Sequence, residues 1–187
     1  MLSIRSLLQK ILIFIGRLLL RLFFRLEVRG REKFPLEGPV IVVCNHHSYL
    51  DPPVLIVSSP RIIHFIAKQE LFKIPIISFF VKLFESIPVD RSNPKPSTFK
   101  KTFQYLKESK VIGIFPEGTR VKNVSDFGKA QAGVELIISK SNVPILITKI
   151  DGTYQWYKKF KIIVTFKELI HNPSITVSEI MQKIYQD

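Results

Sequence analysis

Two consecutive prolines, Pro52 and Pro53, constrain the fold more than any other feature of the chain, because of what precedes them. Pro39-Val-Ile-Val-Val-Cys44 reads as a buried strand. The polar septet Asn45-His46-His47-Ser48-Tyr49-Leu50-Asp51 follows. The prolines then stop the extended run and preset φ for a helix that starts there. The unit is strand, tight loop, helix. His46 and Asp51 lie five positions apart, a rotation of roughly 140° on a helix, and an odd separation on a strand sends them to opposite faces. They meet only across a bend, which the loop supplies.

A carboxylate that fixes one imidazole nitrogen sets the tautomer and leaves the other nitrogen to take a proton. His46 is therefore the candidate base and Asp51 its orienting partner. Asp51 is also placed to cap the following helix, a role compatible with the first. His47 ranks second as base because its spacing to Asp51 differs.

A second polar run follows the apolar strand Val111-Ile-Gly-Ile-Phe115 and reads Phe115-Pro116-Glu117-Gly118-Thr119-Arg120. Proline early and glycine late is ordinary β-turn chemistry. The turn alone leaves Arg120 unexplained. Exposed amides, a hydroxyl and a planar guanidinium together suit one anionic group, and phosphate is the natural guest.

These residues resemble the glycerophospholipid acyltransferases that include 1-acylglycerol-3-phosphate acyltransferase. The resemblance covers nearly everything after about residue 27 and rests on four blocks in the family's order. They are the HX4D block from His46 to Asp51, Lys68-Gln-Glu-Leu-Phe-Lys-Ile-Pro75 with Ile87-Pro88-Val89-Asp90-Arg91, the FPEGTR run at 115–120, and Val143-Pro144-Ile145. The resemblance implies an α/β fold with a glycerol-3-phosphate acyltransferase-like central sheet flanked by helices. It implies that His46 takes the proton of a lyso-phospholipid acceptor's hydroxyl while Asp51 orients it. The alcohol then attacks the thioester of acyl-CoA or acyl carrier protein, with no covalent enzyme intermediate, no cofactor and no metal. Lysophosphatidic acid is the implied acceptor and phosphatidic acid the product, with other lyso-lipids as the alternative. Arg120, Gly118, Thr119 and Glu117 would hold the acceptor's phosphate, with Lys68 and Arg91 as further candidates. The chain departs from the family pattern at Ser78 and Glu85, where glycines are usual, and at Ile147, where proline is usual.

Residues 1–26 contain no acid but hold Arg5, Lys10, Arg17, Arg21 and Arg25 among many Leu, Ile and Phe. At 100° per residue, Lys10, Arg17, Arg21 and Arg25 fall within roughly an 80° arc, so the segment reads as an amphipathic helix preceding an acyltransferase domain at 27–187. A transmembrane span is the alternative, but centrally placed arginines cost about 2.5 to 3.5 kcal/mol each. A helix lying in the interface suits the pattern better, each basic residue near an anionic leaflet contributing roughly 1 kcal/mol. A cleaved secretory signal lacks its small-residue site, and an organellar transit peptide is the remaining reading. The expectation is a peripheral or monotopic protein on the cytoplasmic face of the cell membrane. The family's N-terminal helical region is usually longer, which leaves a dimer or a second docking surface as ways to strengthen attachment.

The net charge of +13 fits an anionic partner. Nucleic acid is disfavoured, because no zinc-finger spacing, RRM signature or aromatic-basic platform occurs. The single cysteine, Cys44, excludes an intrachain disulfide. Its position two residues before His46 raises a Cys-His thioester enzyme as a further hypothesis, against the reading of a small buried residue at a strand end. Elsewhere strands are expected at 62–67, 144–150 and 160–166, and helices at 75–84, 95–109 and 129–140. Thr176 and Glu179 form a capping box for a last helix. The fifteen Phe residues admit a groove for an acyl chain.

Overall fold

The computed structural model describes residues 3–90, 93–117, 132–154, 161–171 and 175–186. Its centre is a seven-stranded sheet in the order β1-β7-β6-β2-β5-β3-β4. The strands are β1 (Arg25–Arg29), β2 (Val40–Cys44), β3 (Ile63–Lys68), β4 (Ile87–Val89), β5 (Val111–Ile114), β6 (Ile145–Asp151) and β7 (Lys161–Ile170). Neighbours are parallel except β6 and β7, which pair antiparallel. The helices are α1 (Ile4–Phe23), α2 (Asp51–Ser58), α3 (Pro75–Leu83), α4 (Pro96–Lys107), α5 (Ala132–Ser141) and α6 (Val177–Tyr185).

A parallel strand covered on both faces reads as a continuous apolar run, and β2 does so: all five of its residues are buried. Alternation divides its side chains between two cores. Val40, Val42 and Cys44 pack with Val54, Leu55 and Phe166, beneath α1 and α2. Ile41 and Val43 pack with Leu106, Ile137 and Ile180, beneath α4, α5 and α6. Ile147, the departure from the family's proline, is fully buried in the second core. The capping box of α6 forms as expected, Thr176 and Glu179 bonding each other's backbone amides.

Two strands were not expected. The N-terminal helix stops at Phe23, short of residue 26, and Arg25–Arg29 adds β1 alongside β7. Alternating Leu26 and Val28 with charged neighbours suits an edge strand. Strand β4 is three residues long and pairs with β3 beside the sequence block that contains it.

Helix α1 does not turn its whole basic arc outward. Arg17 donates through Nε and Nη2 to the carbonyl of Val57 (3.0 and 2.8 Å), capping the last turn of α2. Leu8, Leu12, Ile13 and Leu20 pack on the core, and Gln9 donates to the carbonyl of Leu83 (2.9 Å). Arg5 pairs with Glu85 (2.6 Å). Exposed residues of α1 include Ile4, Leu7, Ile11, Phe14, Leu18 and Leu22 together with the basic Arg5, Lys10 and Arg21, and Ile76, Phe79 and Phe80 are exposed on α3. No helix among the described residues is long and apolar enough to cross a membrane. Glu85, at the usual glycine position, has φ 51°, the left-handed conformation that glycine adopts without penalty. Its departure from the family pattern coincides with its contact to α1.

Candidate active site

In a parallel sheet the loops leaving the carboxyl ends of the strands share one edge, where ligands bind in open α/β folds. The loop after β2 carries His46 and leads into Asp51 at the start of α2, and the turn after β5 carries Glu117. Strands β2 and β5 are hydrogen-bonded neighbours, so the two sequence motifs arrive side by side.

His46 Nδ1 lies 2.9 Å from Asp51 Oδ2. The same oxygen accepts the backbone N–H groups of His47 and Ser48, both at 2.7 Å. Asp51 Oδ1 accepts the hydroxyl of Thr153 at 2.5 Å. Asp51 begins α2, yet its four donors lie outside the first turn of that helix. The carboxylate ties back the loop instead of capping α2, which corrects the expectation of a shared capping role. With Asp51 accepting throughout, His46 Nδ1 is the donor and Nε2 carries the lone pair. His46 Nε2 has no hydrogen-bond partner among the described residues.

The imidazole is held from its face as well. His46 stacks on Phe115 (4.2 Å between centroids, 22°), and Phe115 stacks on Phe65 (5.3 Å, 5°). Phe65 lies against the backbone of β5 because residue 113 is glycine. A Cβ there would sit 2.5 Å from the Phe65 ring. The strand that delivers Phe115 thus also makes room for the ring that supports it.

His47, the second-ranked base, is committed elsewhere. Its Nδ1 lies 3.4 Å from Asn45 Nδ2 and its Nε2 lies 3.2 Å from the hydroxyl of Tyr185. Burial lowers its pKa, favouring a neutral ring. Asn45 is anchored in turn by paired bonds with the backbone N–H and carbonyl of Ile150, both at 2.7 Å.

Glu117 sits behind the loop, 3% exposed. Tyr185 O–H donates to its Oε1 at 2.8 Å, while Oε2 has no partner among the described residues. Burial raises its pKa to about 7, with the charge of Asp51 adding. The Tyr185 hydroxyl and the His46 backbone amide pull in the opposite direction.

Cys44 is fully buried on β2. Burial first, then the charges of Asp51, Glu117 and Asp151, pushes its thiol well above the ordinary range. A nucleophile needs the thiolate and access, and Cys44 has neither. Lys68 ends β3, two strands from β2, and pairs with Glu70 (3.2 Å). Arg91, Gly118, Thr119 and Arg120 lie outside the described residues.

Two residues of the site escaped the sequence reading. Thr153 follows Gly152, whose φ of 90° turns the chain back at the end of β6 and whose missing Cβ spares a 2.1 Å clash with the Lys161 carbonyl. A glycine closing a strand was the available signal. Tyr185 meets Glu117 across 68 positions, with no local signal.

Residues 25–148 match a family described as Acyltransferase. The chain is similar to the 1-acyl-sn-glycerol-3-phosphate acyltransferase of Bacillus subtilis, with 32% identity over 149 residues, 78% of this chain and 73% of that protein. It is 30% identical over 134 residues to the chloroplastic 1-acyl-sn-glycerol-3-phosphate acyltransferase LPAT1 of Arabidopsis thaliana, covering 70% of this chain and 37% of that longer one. The crystal structure of the 1-acyl-sn-glycerophosphate (LPA) acyltransferase PlsC from Thermotoga maritima superposes with a TM-score of 0.74 at 28% identity, over 97% of this chain and 76% of that one.

Proposed function

The chain belongs to the acyltransferase family, among the 1-acylglycerol-3-phosphate acyltransferases, and from that premise we propose that it moves a fatty acyl group from a thioester to the free hydroxyl of lysophosphatidic acid, giving phosphatidic acid for phospholipid biosynthesis. The observation that carries this reading is the His46–Asp51 pair at 2.9 Å, with Nε2 left as the acceptor. An alcohol does not ionise unaided near neutral pH, so its proton must pass to a base as the oxygen attacks. His46 Nε2 takes that proton. The alkoxide-like oxygen bonds to the thioester carbonyl, the C–S bond breaks, and the sulfur leaves with the proton returned by His46. Asp51 stabilises the transient imidazolium and holds its ring plane.

Arg120, with the amides and hydroxyl of Gly118 and Thr119, binds the acceptor's phosphate in this reading, and Lys68 and Arg91 supply further positive charge. Glu117 serves differently, its carboxyl being turned to Tyr185 and buried, so it shapes the turn from behind. Fixing the phosphate positions the hydroxyl at the other end of the glycerol, a large source of rate. The donor is acyl-CoA or acyl carrier protein, and no other cofactor is required. The exposed apolar stripe of α1, with that of α3, lies in the bilayer interface at the cytoplasmic leaflet, where the lipid acceptor resides.

The test is transfer in mixed micelles containing long-chain acyl-CoA and lysophosphatidic acid, following thiol release together with phosphatidic acid. His46→Ala should lose at least about a thousandfold in turnover. Unchanged turnover removes His46 as base. Silence of the unmodified protein with both donor types and with other lyso-lipids removes the acyltransferase reading.

A further inference from the structure

Two basic residues of α1, half-buried Arg17 and exposed Arg21, meet Arg31 at a second place, away from the catalytic edge. A cavity of about 220 Å3 lies between α1, α2, β1 and the turn that follows β1, lined by Arg17, Arg21 and Arg31 together with Leu26, Val28, Val57 and Ser58. The three guanidiniums come from two separate elements, and two of them are placed by packing. Arg17 is held by its paired bonds to Val57. Gly16 keeps α1 close there, since a Cβ would stand 3.0 Å from Val57. Arg31 follows Gly30, which adopts φ 65° and packs so tightly on Phe166 that a Cβ would lie 2.1 Å from its carbonyl oxygen. Arg21 follows Arg17 by one helical turn.

No carboxylate pairs with these three side chains among the described residues. The charges therefore act on one another. Burial, then Arg31, then Arg21, depress the pKa of Arg17. Only two of the five guanidinium N–H groups of Arg17 are engaged by Val57, leaving donors for a guest. Three cations with unused donors around an open cavity match a phosphate.

The surroundings choose the source of that phosphate. At 100° per residue Arg21 lies about 20° from Phe14 and about 60° from Leu18, both on the exposed apolar stripe. The cavity thus borders the exposed apolar stripe of α1, and Leu26, Val28 and Val57 in its lining offer apolar contact to the carbons of a lipid. We propose that Arg17, Arg21 and Arg31 seat the phosphate of an anionic phospholipid headgroup at the edge of the membrane-lying face of α1. This seat rests on the membrane reading above and adds to it a defined headgroup contact, distinct from the acceptor site.

Arg31 is the informative position, because it is exposed, lies off the helix, and its side chain makes no hydrogen bond among the described residues. The experiment is sedimentation of the full chain with phosphatidylcholine vesicles carrying phosphatidylglycerol, or an equal charge of a fatty acid that lacks phosphate. Arg31→Gln is compared with Arg25→Gln, which removes the same charge outside the cavity. A charge near the surface contributes roughly fivefold in binding. Arg31→Gln should weaken binding to phosphatidylglycerol vesicles by more than about tenfold and to fatty-acid vesicles by only about fivefold. Arg25→Gln should cost about fivefold on both. Equal losses from the two variants on phosphatidylglycerol overturn the seat and leave diffuse charge as the whole effect. Equal losses combined with a melting temperature raised by inorganic phosphate in the parent, but not in Arg31→Gln, assign the cavity to a soluble phosphate and overturn the lipid assignment. A parent protein that sediments with neither vesicle overturns the membrane reading itself, while leaving the acyl-transfer assay in micelles to be judged separately.

Discussion

Two buried carboxyl groups face the loop that follows β2, and the fold treats them in opposite ways. Asp51 is 0% exposed and receives four hydrogen bonds, none longer than 2.9 Å. Glu117 is 3% exposed and receives one strong bond, from Tyr185, with Oε2 unpartnered among the described residues. Burying a charge is tolerable where donors converge on it and costly where they do not. The donors around Asp51 make it an orienting group that cannot rotate without breaking several bonds. Glu117 is instead raised to about 7, so it gains or loses a proton near neutrality. One carboxyl serves by staying fixed. The other supports the turn while sharing its proton with solution.

The largest effect expected from this contrast is at Asp51. Asp51→Asn turns an amide NH2 toward groups that are themselves donors and removes the partner that sets the His46 tautomer. Turnover should fall on the order of 10^3- to 10^4-fold, as general-base orientation is lost. The folded state should lose about 3 kcal/mol in denaturant titration, the cost of breaking a buried charged network. A variant that lost stability but kept its turnover would make Asp51 a loop tether only.

Glu117→Gln should do the reverse to stability. A carboxyl group raised in the folded state binds a proton there that the unfolded chain has released, so folding weakens as pH rises. The loss begins near the ordinary carboxylate value of 4.5 and is complete once pH passes about 7. Its size is about 3 kcal/mol at most, from the displacement of the titration. Glutamine removes the dependence. The variant should match the parent near pH 5 and melt higher at pH 8, and parallel melting curves across that range would show that Glu117 stays ionised in the folded protein.

The two carboxyls also differ in how legible they were in sequence. The His46–Asp51 pairing is local: a five-residue separation closed by Pro52-Pro53 forces a bend, and the bend brings the groups together. The Glu117 environment is assembled by topology. Tyr185 comes from the last helix and reaches the site because α6 packs beneath the same sheet edge, which no local pattern encodes. Thr153 falls between these cases, since Gly152 marks the turn but not its destination. The same division runs through the fold. Buried β2 and the capped α6 were plain from periodicity and capping. By contrast, β1 was hidden behind an apolar helix that runs almost into it, and β4 is too short to show a period. Which residues of α1 pack inward was not legible either, because a helical wheel shows where charges cluster but not that the Val57 carbonyl draws Arg17 inward.

Tyr185→Phe gives the smallest and most discriminating test of the contrast. The phenol pKa is raised by burial and by Glu117, so the hydroxyl remains a donor at every working pH. Removing it deletes one bond to Glu117 and one to His47, and leaves the four bonds on Asp51 untouched. Turnover should therefore fall only a fewfold, whereas stability should drop by about 1 kcal/mol near pH 5 and by somewhat more at pH 8. The larger loss at pH 8 arises because a hydrogen bond to an ionised carboxylate is stronger than one to a neutral acid, so losing it also raises Glu117 further. Combining the change with Glu117→Gln separates the two partners. If the hydroxyl acts through Glu117, the pH-dependent part of its effect vanishes in the double variant. An undiminished pH-dependent loss there would assign the role to His47, and the contrast between the two carboxyls would then owe nothing to Tyr185.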